Sequence, residues 1–325
     1  MDGVLKDETA SNDQHGTMSE SSSFSIPPSS FGIGIDLGGT RIKSARFDLA
    51  TGQLLATAMT PTRDGERIDG VPAFAVGVRE LVQRHEVEMG AKASVVGVSA
   101  PGLADRDGSC IRFMPGKLEG LENLVWRDFL QCNAKCLNDA HAALMGEIWQ
   151  GAAKDKRDVV MLTLGTGVGG AVVCDGRLIQ GHIGRAGHLG HLSVAMDDPP
   201  SIIGMPGAIE YQIGNGYLAQ RTNGRFQMTS DLLSAVGAGD AFAKQVWDRS
   251  IQSLATTIAG LINAFDPEVI VLGGGIANAW DAIESPLKAW LDKIEWRPGG
   301  HRVPVIHATL GEWAGCYGAV HFARG

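Results

Sequence analysis

FGIGIDLGGTRIKSARF, residues 31–47, decides how the rest of the chain is read. Phe31, Ile33 and Ile35 alternate with glycines, which suits a buried strand. Gly38 and Gly39 break the run, and a second strand leads on to Phe47. Glycine takes positive φ freely and has no Cβ, so backbone N–H groups at such a turn can approach an anion closely. Thr40 adds a hydroxyl donor, and Arg41 and Lys43 add positive charge. Asp36 at the bend would repel a phosphate. A Mg²⁺ between the two removes the conflict, held by the carboxylate directly or through its waters. The stretch is not a Walker loop, because Ile42 stands where that motif has glycine before Lys43-Ser44. Taken alone, it fits an ordinary hairpin and a phosphate cradle equally well.

Working outward, a turn over 48–52 joins a third strand, giving a three-strand meander. Phe74, Val78, Leu81 and Val82 recur at helical spacing and predict a helix over about 68–89. SVVGVSAPG, 94–102, reads as a buried strand ending in a turn, where open α/β sheets keep their ligands. A turn at 105–109, a short helix at 121–130 and a short strand at 135–137 follow. A helix from Asn138-Asp139 to about Gly151 has Asp139 as its N-cap. The pattern then restarts. VVMLTLGTGVGGAVVCDGRLIQG, 159–181, repeats the strand, glycine turn, strand, polar turn, strand order of 31–58. A long helix over 238–264, a strand into a glycine turn at 268–275, a further helix, a strand at 303–308 and a final helix at 312–323 complete the chain. Two such α/β halves face each other across a cleft. Three glycine turns, at 38–39, 165–170 and 273–275, point into it. Gly165, Gly167 and Gly170 spell G-x-G-x-x-G, but a strand follows where the dinucleotide fingerprint needs a helix. A glycine turn between strands instead suits a polyphosphate, with Thr166 adding its hydroxyl.

At 325 residues the chain is long enough for two cores. Its 44 glycines are roughly double the usual share, so many turns must be tight or close to a ligand. The net charge of −8, with no long basic run, argues against binding nucleic acid or anionic membranes through bulk charge. Five cysteines without a C-x-x-C fit reduced thiols in a cytoplasm. No signal peptide and no membrane-length apolar run is evident. Residues 1–30, rich in Ser, Asp and Glu, read as a disordered tail.

IGIDLGGTRIKSARFD, LNDAHAALMGE, LTLGTGVGGAVV, GRAGHLGHLSV and IVLGGGI resemble, in order and spacing, the ROK family of sugar kinases and related repressors. The resemblance spans nearly all of 31–323. It implies the actin-like ATPase fold, of the ribonuclease H-like kind, and ATP-dependent phosphorylation of a hexose, glucose or a relative. It implies a small N-terminal lobe over 31–138, completed by the C-terminal helix, and a large lobe over 139–311. Carried over residue by residue, it puts Asp36, Gly38, Gly39, Thr40 and Lys43 around the ATP phosphates and Mg²⁺. Thr166 and Gly167 take a second phosphate turn, and Gly274 and Gly275 lie beside the adenosine. Asn138 and Asp139 match the sugar-contacting pair, with Asp139 as catalytic base. His191 and Glu210 match two further sugar contacts. A homodimer in a cytoplasm is the family's usual state.

The chain departs from the family in two places. His188 stands where the family has a sugar-contacting glutamate. Ser201, Ile203 and Ala208 stand where many members carry zinc-binding cysteines, so no structural zinc is expected, since His191 alone is no zinc site. Ile202, Ile203 and Met205 are expected to replace the metal with apolar packing. A neutral imidazole at 188 donates one hydrogen bond and accepts one, whereas a carboxylate only accepts. The acceptor therefore stays open between glucose and an N-acetylated or epimeric hexose. His141 is expected to face packing or solvent, and Lys117 to touch ligand or solvent. Three rivals remain. A DNA-binding repressor would need a helix-turn-helix, for which residues 1–30 are too short and polar. A non-catalytic sugar-binding regulator would not need Asp36, Asp139 and three glycine turns together. A polyphosphate-dependent kinase would not need the adenosine-side Gly273 to Gly275.

Overall fold

The computed structural model describes residues 30–325, so the expected tail lies, apart from Ser30, outside the described residues. The first sheet is built from β1 (Phe31–Leu37), β2 (Arg41–Asp48), β3 (Leu54–Pro61), β4 (Val95–Ala100) and β5 (Ala134–Asn138). Their order across the sheet is β3-β2-β1-β4-β5. β1 runs antiparallel to β2 and parallel to β4. The second sheet contains β6 (Val159–Leu164), β7 (Val168–Cys174), β8 (Arg177–Leu178), β9 (Val269–Gly273) and β10 (Val305–His307). Its order is β8-β7-β6-β9-β10. Each sheet therefore reads third, second, first, fourth, fifth, and the duplication seen in the sequence is a duplication of topology.

Helix α1 (Ala73–Met89) buries Phe74, Val78, Leu81 and Val82, and Gly90 closes it with a φ of 63°. It starts later than its apolar spacing suggests. Asp69 and Gly70 have positive φ and turn a two-strand ribbon between 67–68 and 71–72 before the helix begins. The expected helix at 121–130 shrinks to α2 (Trp126–Leu130), because Asn123 takes a φ of 61° and interrupts any earlier turn. Helix α3 (Asp139–Gln150) is capped by Asn138 rather than Asp139. The Asn138 side-chain oxygen accepts the N–H groups of Ala140 (2.9 Å) and His141 (3.3 Å).

Short helices α4 (Ile209–Ile213), α5 (Leu218–Arg221) and α6 (Thr229–Gly237) lead to α7 (Ala241–Phe265) and α8 (Trp280–Ile294). α7 presents Trp247, Ile251, Leu254, Ile258 and Leu261 to the core of the second sheet. Pro286 lies inside α8, where it cannot donate to the Ala282 carbonyl. That carbonyl instead accepts the Trp247 indole N–H at 3.2 Å, which fastens α8 to α7.

The last helix, α9 (Ala314–Arg324), follows a 3-10 turn at Gly311–Trp313 and lies against the first sheet. The glycines of β1 and β4 make that approach possible. A Cβ at Gly34 would collide with the Cys316 carbonyl, and one at Gly97 with the Ala319 backbone. α9 also crosses α3 at close range, where a Cβ at Gly318 would collide with the Ala142 carbonyl. Among the described residues, no helix is long and apolar enough to cross a membrane.

Candidate active site

Strand register sets the surroundings of Asp36. In β1 it lies opposite Lys43 of β2 and beside Ser99 of β4. Lys43 Nζ is 3.5 Å from Asp36 Oδ2, and the Ser99 hydroxyl donates to Oδ1 at 3.1 Å. Burial nonetheless pushes the Asp36 carboxyl above its usual range, with Lys43 and Ser99 pulling the other way. Lys43 also donates to the Glu312 carbonyl at 2.9 Å. The Gly38-Gly39 turn is closed by the Gly38 N–H on the Arg41 carbonyl (3.0 Å). Buried Thr62 holds it from behind, donating its hydroxyl to the Gly38 carbonyl at 2.6 Å.

A cavity of about 580 Å³ opens in front of these groups. Its wall includes Asp36, Gly38, Gly39 and Lys43 from the first sheet, Asp139 from the start of α3, and Gly274 and Gly275 from the turn after β9. Gly39 and Gly275 face open space, where an added Cβ would meet nothing within 4 Å. Gly274 has a φ of 85°, and a Cβ there would collide with the Leu164 carbonyl, so glycine is required by the backbone itself. Asp139 is reachable by solvent through the open cleft, but protein surrounds it on its other sides. That desolvation, followed by the nearby Asp36 charge, raises its carboxyl from an ordinary value to about 6. One of its oxygens, Oδ1, accepts the Ala140 N–H at 2.8 Å.

A second cluster forms around His188, His191 and Glu210. His191 Nδ1 lies 3.4 Å from Glu210 Oε1, and the His188 and His191 rings stack with centroids 6.4 Å apart. A Cβ at Gly167 would come within 3.1 Å of Glu210 Oε2, so the second glycine turn touches this cluster. His141 is buried beneath it, with Nε2 3.0 Å from the Ala186 carbonyl. A carbonyl only accepts, so Nε2 carries the proton. Burial, and then His188, lower the His141 pKa to about 4, and burial with His191 lowers that of His188. Both rings are therefore neutral at pH 7. His141 Nδ1 and His188 Nε2 are buried without a hydrogen-bond partner, and His191 Nδ1 and Glu210 Oε1, also buried, face each other at 3.4 Å without making a hydrogen bond. Such a set calls for a polar ligand.

Not every expected site residue reaches the cavity. Thr40 and Thr166 are exposed and are not on its wall. Asn138 is buried, caps α3 and donates to the Gly102 carbonyl at 3.0 Å. The loop without zinc cysteines also differs from expectation. Ile202 and Ile203 are 84% and 57% exposed, so apolar packing does not replace the metal there. Backbone bonds shape this loop instead, with the Ile202 N–H held by the Tyr217 hydroxyl at 2.8 Å. Among the described residues, no group of three or more His, Cys, Asp and Glu is arranged to hold a metal ion. Several wall residues escaped the sequence reading, among them Thr163, His307 and Glu312. Thr163 was within reach, since it precedes Leu164 in β6 as Asp36 precedes Leu37 in β1.

The ROK family model matches residues 32–325. A glucokinase of Thermotoga maritima is 32% identical, over 90% of this chain and 96% of its own. An N-acetylmannosamine kinase of Escherichia fergusonii is 29% identical, over 90% of this chain and 98% of its own. A solved ROK glucokinase of Streptomyces griseus, in complex with glucose and AMPPNP, is 27% identical with a TM-score of 0.69, covering 90% of this chain and 99% of that one.

Proposed function

This chain belongs to the ROK family, has the actin-like ATPase fold and is an ATP-dependent sugar kinase; we propose that it phosphorylates O6 of glucose with Asp139 as the base. The observation that carries the reading is the shared wall. Asp139 and two glycine turns, from opposite sheets, face one cavity. In the transfer, the bond from the γ-phosphorus to the bridging oxygen breaks and ADP leaves. The sugar oxygen bonds to phosphorus, and its proton passes to Asp139. This chemistry needs alignment and charge stabilisation more than covalent help. With one Asp139 oxygen fixed by the Ala140 N–H, the other is left to meet the hydroxyl. A carboxyl pKa of about 6 makes it ionised, and a competent acceptor, at neutral pH.

Gly38, Gly39 and Lys43 would hold the phosphates, joined by Thr40, Thr166 and Gly167 as the cleft closes, with Gly274 and Gly275 beside the adenosine. The open space in front of Gly39 and Gly275 supports this. Asp36 fits a Mg²⁺, being an under-neutralised carboxylate on the cavity wall beside the glycine turn. The ion would offset charge on the phosphate oxygens. Asn138, His188, His191 and Glu210 would bind the sugar, supported at the last three by buried atoms without a hydrogen-bond partner. The lobe division at 138–139 belongs to the same reading. It is supported by separate cores, one around Ile33, Phe74 and Trp126 and one around Leu162, Leu254 and Ile270. So does the homodimer usual in the family, which size-exclusion chromatography with light scattering checks.

A second acceptor class, N-acetylated or epimeric hexoses, is favoured by His188, whose Nε2 is buried and unpartnered. A coupled assay of ADP release with glucose, mannose, N-acetylglucosamine, N-acetylmannosamine and fructose separates the two. Glucose is expected to turn over fastest. If an N-acetylated sugar leads, and His188→Glu returns the preference to glucose, the second class holds. No turnover with any sugar would favour a non-catalytic regulator and contradict the proposal.

A further inference from the structure

Two lysines, Lys43 and Lys117, line the cavity, and they are not equivalent. Lys43 is engaged by Asp36 and by Glu312. Lys117 makes no hydrogen bond or ion pair within the described residues, although its side chain borders the same cavity as Asp36, Asp139 and Glu312.

The loop that carries Lys117 is held in place at both ends. Leu118 has a φ of 53°, a costly conformation for a γ-branched side chain, and is nearly fully buried. The Asp64 carboxylate accepts the Leu118 N–H at 2.9 Å, and Glu122 accepts the Met114 N–H at 2.6 Å. Backbone strain of this kind persists where the surroundings over-determine it, and it clusters at functional sites. Here its result is that Pro115, Gly116 and Lys117 project from a fixed base. Met114 and Lys117 form the partition between the main cavity and an adjoining pocket of about 690 Å³.

We propose that Lys117 is a further catalytic residue of the kinase, its ammonium binding the oxygens of the phosphoryl group as it passes from ATP to the sugar. The proposal rests on the reading above, in which the γ-phosphate lies between the Gly38-Gly39 turn and Asp139. A phosphoryl group in flight spreads negative charge over three oxygens, and cationic donors lower its barrier. The cavity wall offers three carboxylates, at Asp36, Asp139 and Glu312, against two ammonium groups, one of them already engaged. Lys117 is the charge still available. It keeps its proton throughout. The shared chemistry is an anionic oxygen, and an acidic substituent on the acceptor sugar is the other possible source of one.

The test uses full-length protein with Lys117→Gln and Lys117→Arg, assayed with ATP and the faster of glucose and N-acetylmannosamine. Both sugars are neutral. Equilibrium affinity for that sugar is measured without nucleotide. The proposal expects kcat to fall roughly 100-fold in Lys117→Gln, the scale of losing one transition-state donor. The sugar KM and affinity should stay within about threefold, and Lys117→Arg should recover to within about tenfold of wild type. An unchanged kcat in Lys117→Gln overturns it. So does weakened sugar binding with kcat retained, which would make Lys117 a sugar contact. An arginine variant as slow as the glutamine variant also overturns it, since the charge would not be what matters. The side chain is exposed, so folding is not at stake, and melting temperatures confirm that. Asp139→Ala in the same assay keeps the two readings apart. If that variant retained its rate, the base assignment would fail whatever Lys117 does.

Discussion

Asp139 and Asp36 show how position turns ordinary carboxylates into unusual ones. Burial raises both, and the Asp36 charge adds to the rise at Asp139. In the unfolded chain Asp139 ionises near 3.8, and in the fold near 6. The fold therefore binds that proton more tightly, and stability falls as pH rises from about 4 to about 6. In metal-free, nucleotide-free protein, Asp139→Asn should melt above wild type at pH 8, by roughly 2 °C once solvent screening in the open cleft is allowed for. The gap should close below pH 4. Calorimetry at the two pH values checks it, and a variant that melts below wild type at pH 8 would contradict the assigned shift. His188 is a question of donor and acceptor instead. With both His141 and His188 neutral, His188→Glu adds a buried charge beside Glu210. If it leaves glucose turnover unchanged, His188 has no part in specificity. The positions of Asp36 and Asp139 on the cavity wall were legible because both sit at chain landmarks, a strand end and a helix start. Thr62 was not, since its service to Gly38 comes from 24 residues away with no local motif to announce it.

At the scale of elements, glycines that look alike in the sequence have different causes. Gly97 has no Cβ because α9 lies there, whereas Gly39 faces open space. Gly97→Ala should therefore destabilise the protein by about 2–3 kcal/mol or more, the cost of overpacking against backbone. Gly39→Ala should leave the melting temperature unchanged and raise the KM for ATP. Thermal melts and ATP titrations of the pair decide the matter, and equal destabilisation of both would contradict it. Glu147 is another element-scale feature that the sequence did not reveal. It lies fully buried on α3 and accepts the N–H groups of Ala152 (2.7 Å), Thr309 (3.0 Å) and Leu310 (2.9 Å). It thereby ties the helix that begins at Asp139 to the loop leading into Glu312. Glu147→Ala leaves those donors unpaired and should cost about 3–5 kcal/mol, measured by denaturant unfolding. A loss under 1 kcal/mol would mean the loop finds other partners. The element plan was legible where periodicity is strong, as in β1, β6 and α7. It failed at 68–72 and 121–125, where Asp69 and Asn123 adopt positive φ that their residue types permit but do not announce.

For the whole molecule, duplication is the organising fact. Two sheets of one strand order carry matching turns, so Thr163 in β6 stands where Asp36 stands in β1, and both reach the cavity. This was visible in the sequence because strand, glycine turn and strand recur at 31–58 and 159–181. The exposed loop around Ile202 was not, because an apolar run reads as core until its surroundings are known. The cluster of His188, His191 and Glu210 is not among the residues lining the cavity, and Thr40 and Thr166 stand off its wall. Closure of the two halves on sugar would bring these groups to the phosphates and exclude water. Small-angle scattering should show the radius of gyration falling when sugar is added, and an unchanged value would contradict closure.

In the proposed mechanism Asp139 accepts the sugar hydroxyl proton during transfer from ATP. Steady-state ADP release and equilibrium sugar binding, measured together on Asp139→Ala, test it most directly. A base at Asp139 requires a fall in kcat of about 10²–10⁴-fold, the usual worth of a positioned base, with sugar affinity retained. A variant that kept most of its rate would contradict it.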